Sequence, residues 1–278
     1  MLINAKQMMI DAKDGHYAIP HFNINNLEWT RYILEECQEL DEPVILGVSE
    51  GAVKYMGGYV TVANIVRGLV QDLDITIPVV LHLDHGTYEG CFKAIDAGFT
   101  SVMYDGSRLP LDKNIANTKE VVNYAKDKNI SVEAEIGAIG VAKENLDNED
   151  IYTKVEDAVK MKETGIDFLA PALGSVHGIY KGEPKLDFTR MEEIKEATGL
   201  PLVLHGGSGI PDDMIRHAID CGVAKLNVNT DLQIAWTKGV RELLNLDEEV
   251  YDPRKVIGAG KANLQQVVKD KVELLRNK

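Results

Sequence analysis

The stretch Ile77–Tyr104, IPVVLHLDHGTYEGCFKAIDAGFTSVMY, contains one complete structural unit. Its apolar opening, Ile77 to Leu83, is rich in branched residues and too short for a helix, so it reads as a strand buried on both faces. The polar turn at Asp84–Thr87 is followed by Tyr88 to Ala97, where Cys91, Phe92 and Ile95 share one side and Glu89, Lys93 and Asp96 the other, the pattern of an amphipathic helix. Gly98 then supplies the left-handed residue that helix exits favour, and Thr100 to Tyr104 begins a second strand.

This rhythm recurs on both sides of the quoted unit. Further strands are predicted at Ala18–Phe22, Pro43–Val48, Ile130–Ile136, Ile166–Ala172, Leu200–His205 and Val223–Val228, which brings the total to eight. Helices are predicted between them at Asn26–Leu40, Thr61–Asp72, Ile115–Lys128, Lys154–Thr164, Phe188–Thr198, Asp212–Cys221 and Leu232–Leu244. Gly165, Gly199 and Gly222 stand, like Gly98, between a helix and the next strand. Eight units with no linker imply an α/β fold over residues 1–278: one closed (β/α)8 TIM barrel with a C-terminal helical extension. An open doubly wound sheet shares the alternation, but no GxGxxG follows the first strand. Two segments break the rhythm. Gly137–Tyr152 is long, polar and glycine-led, as an active-site loop would be. The tail carries Arg254, Lys255, Lys261, Lys269, Lys271, Arg276 and Lys278, and reads as a helix against the barrel with a solvated basic face.

With 44 acidic against 30 basic residues and a formal charge of -14, the average surface repels nucleic acid and anionic membrane. Cys37, Cys91 and Cys221 are too few and too scattered for a disulfide framework and read as buried thiols of a reducing compartment. Neither a signal peptide nor an apolar run of spanning length is legible, so the expected location is cytoplasmic.

A barrel of this kind does its chemistry at the C-terminal ends of its strands. His21, His82, His85, His177 and His205 fall at or just beyond strand ends, whereas His16 and His217 do not. A lone histidine there usually bonds a backbone carbonyl. Three of them after strands three, six and seven point instead to a metal, and His85, His177 and His205 are expected to hold a borderline cation, most simply Zn2+, with a position open for substrate oxygens. Glu135 and Asp105 could offer an alternative metal position or accept the N–H groups of the ligand histidines. HGGSGIP (His205–Pro211) and NVNTD (Asn227–Asp231) present small residues and backbone amides before helices, which suits phosphate, and Lys181 adds a cation within reach.

Taken together, the chain resembles the class II, metal-dependent fructose-bisphosphate aldolases, in the shorter branch that also holds tagatose-bisphosphate and inositol-pathway aldolases. The motifs run in order along it: FNINNLEWT (Phe22–Thr30), ILGVSEGA (Ile45–Ala52), PVVLHLDHG (Pro78–Gly86), AGFTSVMYDGS (Ala97–Ser107), SVEAEIG (Ser131–Gly137), APALGSVHG (Ala170–Gly178), PLVLHGGSGIP (Pro201–Pro211), KLNVNTD (Lys225–Asp231) and YDPRK (Tyr251–Lys255). The resemblance implies reversible cleavage of fructose 1,6-bisphosphate through a zinc-stabilised enediolate. It implies His85, His177 and His205 as zinc ligands, Glu135 near an alternative zinc position, and Asp84 exchanging a proton with the oxygen on C4. Gly178, Gly206, Ser208 and Thr230 would hold the phosphate of the dihydroxyacetone fragment beside a monovalent cation, Na+ or K+. Asn227 would contact the enediolate, Ser49 the other fragment, and Arg254 the far phosphate. Asn229, with the Gly206–Gly207 pair, favours the fructose epimer over the tagatose one. A homodimer or homotetramer is expected.

The chain departs from the pattern at the loop base, where the register from Glu135 puts Lys143 in place of a glutamate. Lysine is normally protonated near neutral pH, so the expected base is Glu144, one residue on. His21 also stands where the family carries a smaller or amide side chain. Loss of the loop base is also what a barrel reduced to metal and sugar-phosphate sensing would show; turnover separates the two.

Overall fold

A computed structural model gives the fold, describing residues 2–137, 152–176, 178, 180 and 182–277. In chain order, α1 (Lys6–Asp14), β1 (Ile19–Asn23), α2 (Leu27–Glu39), β2 (Val44–Ser49), α3 (Glu50–Tyr55), α4 (Tyr59–Asp72) and β3 (Val79–Gly86) come first. Then follow α5 (Tyr88–Ala97), β4 (Ser101–Tyr104), α6 (Leu111–Lys126), β5 (Ser131–Ile136), α7 (Val155–Lys162), β6 (Phe168–Pro171), α8 (Phe188–Thr198) and β7 (Leu202–Leu204). The last elements are α9 (Asp212–Asp220), β8 (Val223–Val228), α10 (Thr230–Leu246), α11 (Pro253–Gly258) and α12 (Lys261–Leu275). All eight strands pair in parallel and in chain order, with β8 returning to β1, so the sheet closes as the sequence predicts. Gly98, Gly165, Gly199 and Gly222 all have positive φ, as the helix–glycine–strand rhythm requires.

Alternation along each strand divides the interior into layers. Outward side chains such as Val44, Leu46, Val79 and Leu81 pack under the helices in the larger apolar cluster. Inward at the N-terminal end, Ile19, Ile45, Val80, Phe168 and Val203 form a second cluster with Ala5 and with Met8, Met9 and Ala12 of α1. That helix plugs the barrel floor, and no motif in the sequence announces it. The tail folds as α12 against α2, α9 and α10. Its basic residues are partly spent on acids of the body: Lys261 on Glu35 and Lys271 on Asp231. Cys37, Cys91 and Cys221 are buried and free, and no helix among the described residues is long and apolar enough to cross a membrane.

Candidate active site

Above the apolar plug, the barrel interior turns polar. Lys225 on β8 and Glu133 on β5 are fully buried and paired at 2.6 Å, and Glu133 also lies 2.8 Å from His205 Nε2 and 3.5 Å from His82 Nε2. Burial resists ionisation of Glu133, but Lys225 and the hydrogen bond from His205 outweigh it and hold its pKa well below the usual range. Burial and Lys225 push the pKa of His82 down to about 3 and drive that of His21 well below normal, so both rings are neutral. His21 and His82 therefore do not reach the mouth, contrary to the sequence reading, because their positions along β1 and β3 set them one layer lower. Gly47, the β2 neighbour one layer up, has no Cβ because one would run into the His21 ring.

The next layer opens to solvent. Successive residues of a strand should face opposite ways, yet Asp84 and His85 both line the same cleft. The cause is a break in register between Leu83 and Gly86, with His85 at φ 49°, a left-handed conformation rare for a side chain of this size. Strain at this point turns the imidazole inward. His85 Nδ1 then lies 3.0 Å from Asp105 Oδ2 and 3.3 Å from Glu135 Oε2, and its Nε2 lies 3.1 Å from His205 Nδ1.

The tautomers follow from the partners. His205 gives its Nε2–H to Glu133, and its Nδ1 accepts from the Asn227 amide at 3.2 Å, so that nitrogen presents a lone pair. His85 gives its Nδ1–H to Asp105, which turns the Nε2 lone pair toward the same point. His85 Nε2 and His205 Nδ1 face each other at 3.1 Å, and this donor set fits a borderline divalent metal with its outer nitrogens oriented by carboxylates. Asp84, His85 and His205 form one group with ligand spacing, and His85, Asp105 and Glu135 a second. Without a metal, a proton takes the place between them. Burial disfavours the imidazolium of His85, but Asp84, Asp105 and Glu135 overrule it and hold its pKa up to about 11, while Asp105 falls to about 2.

Asp84 is gripped from both sides, by Asn23 Nδ2 at 2.9 Å and Asn227 Nδ2 at 3.2 Å. Burial opposes its ionisation, and the positive charges of His85 and Lys225 offset it, leaving an ionised acceptor. Ser49, Gly178, Gly206, Ser208, Asn229 and Thr230 line the same cleft of about 210 Å³ with these groups. Ser208 Oγ accepts the Asp231 N–H at 3.2 Å, tying the loops after β7 and β8 together, and Asn229 Oδ1 is buried without a hydrogen-bond partner among the described residues.

Four residues stand differently from the sequence reading. Gly207 does not line the cleft; it is packed behind it, where a Cβ would lie 2.6 Å from Leu226 and 2.9 Å from the Asn227 carbonyl. Arg254 lies outside the cleft on α11, with its side chain 89% exposed and paired with Asp252 at 2.8 Å. Asn23 was not singled out, although it sits in the FNINN motif, because an asparagine at a strand end carries no signal of its own. Tyr180 was also missed: its hydroxyl donates to the Gly206 carbonyl and accepts from the Val176 amide, pinning the segment after β6 to the loop after β7. His177, Lys181, Lys143 and Glu144 lie outside the described residues.

The model of a family described as fructose-bisphosphate aldolase class-II matches residues 3–278. A fructose-bisphosphate aldolase of Staphylococcus aureus strain Mu50 is 56% identical over 275 residues, covering 98% of this chain and 96% of its own. Another, of Geobacillus stearothermophilus, is 55% identical over 270 residues, covering 96% and 94%. Among solved structures, the YdjI aldolase of Escherichia coli K12 superimposes with a TM-score of 0.87 at 33% identity, covering 99% of this chain and 97% of that one.

Proposed function

The chain belongs to the class II fructose-bisphosphate aldolase family, and on that premise we propose that it cleaves fructose 1,6-bisphosphate reversibly into dihydroxyacetone phosphate and glyceraldehyde 3-phosphate. The observation that carries this reading is the pair His85 and His205, with ring nitrogens facing each other at 3.1 Å, beside an ionised Asp84 held by two amides. His85 and His205 would hold a divalent cation, zinc by preference, with His177 as the third ligand and Glu135 as an alternative. That cation supplies Lewis acidity, polarising the ketose oxygens as charge develops on them.

The chain's own groups account for the protons. Breaking the C3–C4 bond leaves its electron pair on the C3 fragment and requires the C4 hydroxyl to lose its proton. Asp84, ionised and acceptor-only, takes that proton and returns it in the condensation direction. Asn23 and Asn227 fix the carboxylate so that no reorientation is needed at the moment of transfer. The C3 fragment then gains a proton, a step assigned to Glu144. Amides and hydroxyls from Gly178, Gly206, Ser208 and Thr230 suit a phosphate at the start of α10, with Lys181 and a monovalent cation, Na+ or K+, completing the charge balance. The acceptor of Asn229, buried and without a partner among the described residues, supports recognition of a sugar hydroxyl and hence the fructose epimer over the tagatose one. Arg254, outside the cleft of its own chain, is assigned to the far phosphate only together with the homodimer or homotetramer that belongs to the same reading.

The test is a coupled cleavage assay on fructose and tagatose 1,6-bisphosphates, each with chelator and with restored Zn2+. Chelator-sensitive turnover preferring the fructose compound is expected. Folded, zinc-loaded protein that cleaves neither would refute the assignment, and loss of turnover in Glu144→Ala identifies the loop base.

A further inference from the structure

The basic C-terminal run contributes one residue that pairs with the start of α10. Asp231, the second residue of α10, follows Thr230, whose side of the helix start lines the cleft, and its backbone N–H is bonded to Ser208 Oγ. Its carboxylate lies 3.1 Å from Lys271 Nζ on α12, with the two side chains only 27% and 14% exposed. An acidic residue in a first turn suits the helix dipole, but it sets a negative charge one residue from where an incoming phosphate would bind. In a half-buried setting solvent screens that repulsion weakly. Lys271 cancels the charge, and by fixing the carboxylate it also steadies the backbone amide that ties Asp231 to Ser208.

We propose that Lys271 is a positioning residue for phosphate binding, acting through Asp231 rather than by touching substrate. The inference rests on the reading that the loops after β7 and β8 receive a phosphorylated sugar. It assigns a task to a lysine whose place in the sequence marks it only as part of a solvated tail.

The experiment compares zinc-loaded wild type, Lys271→Met, Asp231→Asn and the double variant. It measures kcat and KM for fructose 1,6-bisphosphate and the Kd of inorganic phosphate by calorimetry, at low and high ionic strength. Lys271→Met is expected to raise KM and the phosphate Kd by about 5- to 10-fold, with kcat within about twofold and only a modest decrease of the effect at high salt. The double variant, with both charges gone, should return to within about twofold of wild type, and Lys271→Arg should match it. An unchanged Kd in Lys271→Met, or a double variant as impaired as the single one, overturns the proposal. If Lys271→Met does not fold, Asp231→Asn decides alone: removing the carboxylate and keeping the ammonium must tighten phosphate, and an unchanged or weaker Kd overturns it. Wild type that binds phosphate but cleaves neither ketose bisphosphate refutes the proposed reaction while the Kd comparison still decides the role of Lys271. Wild type that binds no phosphate removes both.

Discussion

Replacing Lys225 by methionine tests the barrel's polar layer most directly. Methionine keeps the length and most of the volume but deletes the ammonium 2.6 Å from Glu133, at a site with no solvent access for either partner. Breaking a buried pair from one side costs about 3–5 kcal/mol, because the remaining charge stays desolvated. For 278 residues, with about 2.1 cal/mol/K of unfolding entropy per residue, this corresponds to a fall in Tm of about 5–9 °C. The sign of the pH dependence follows from the two protonation states. In wild type the Glu133 pKa is depressed, so its contribution is present above the unfolded pKa and is lost only as pH falls through the lower folded value. In Lys225→Met burial acts with less opposition and raises that pKa above the unfolded one. The folded state then binds the extra proton, and stability declines as pH rises through the raised value. Calorimetric melts of both proteins from pH 5 to 8, in excess chelator so that metal binding does not enter, should show the gap widening with pH. A gap below about 1 kcal/mol, or one independent of pH, would refute the account of Lys225 as the counter-charge. The double variant Glu133→Gln/Lys225→Met should recover part of the loss, since neither charge is left buried.

Other expectations follow from the same geometry. Asp84→Asn should lower kcat by about 10²- to 10⁴-fold in the coupled assay while the protein still binds zinc through its histidines, as measured by metal analysis. Asn23→Ala leaves Asp84 with the Asn227 amide alone; loss of a hydrogen bond to a charged group, about 1.5–3 kcal/mol, predicts a drop in kcat/KM of about 10- to 100-fold. The same change raises the Asp84 pKa, so the acidic limb of the pH–rate profile should move to higher pH, and an unmoved limb argues against the two-sided grip. Gly47→Ala should cost about 1–3 kcal/mol in a thermal melt by driving a methyl into the His21 ring, and His21→Ala in the same chain should restore most of it. Zinc at about 100 times its Kd should stabilise the folded chain by about 2.7 kcal/mol over chelated protein, read as a rise in Tm of about 4–5 °C.

The sequence by itself determined the barrel and most of the cleft. Strand burial, helix amphipathicity and the left-handed glycine between them are local properties, written in the residues that obey them, so eight repeats were enough to specify the closed sheet. Asp84, His85, His205, Ser208, Asn227, Asn229 and Thr230 were legible because each lies at a strand end, and one barrel sends all its strand ends to one mouth. Only the tertiary structure decided what depends on height and rotation within the barrel. It set His21 and His82 below the mouth and turned His85 inward through a break in register that residue spacing does not reveal. It also joined Glu133 to Lys225 across 92 positions, closed the floor with α1, and left Arg254 outside the cleft on α11. The heights of the strand residues come from the stagger of eight strands around a closed circle, and the places of α1 and α11 from how helices pack on that circle, long-range conditions that no local stretch of sequence carries.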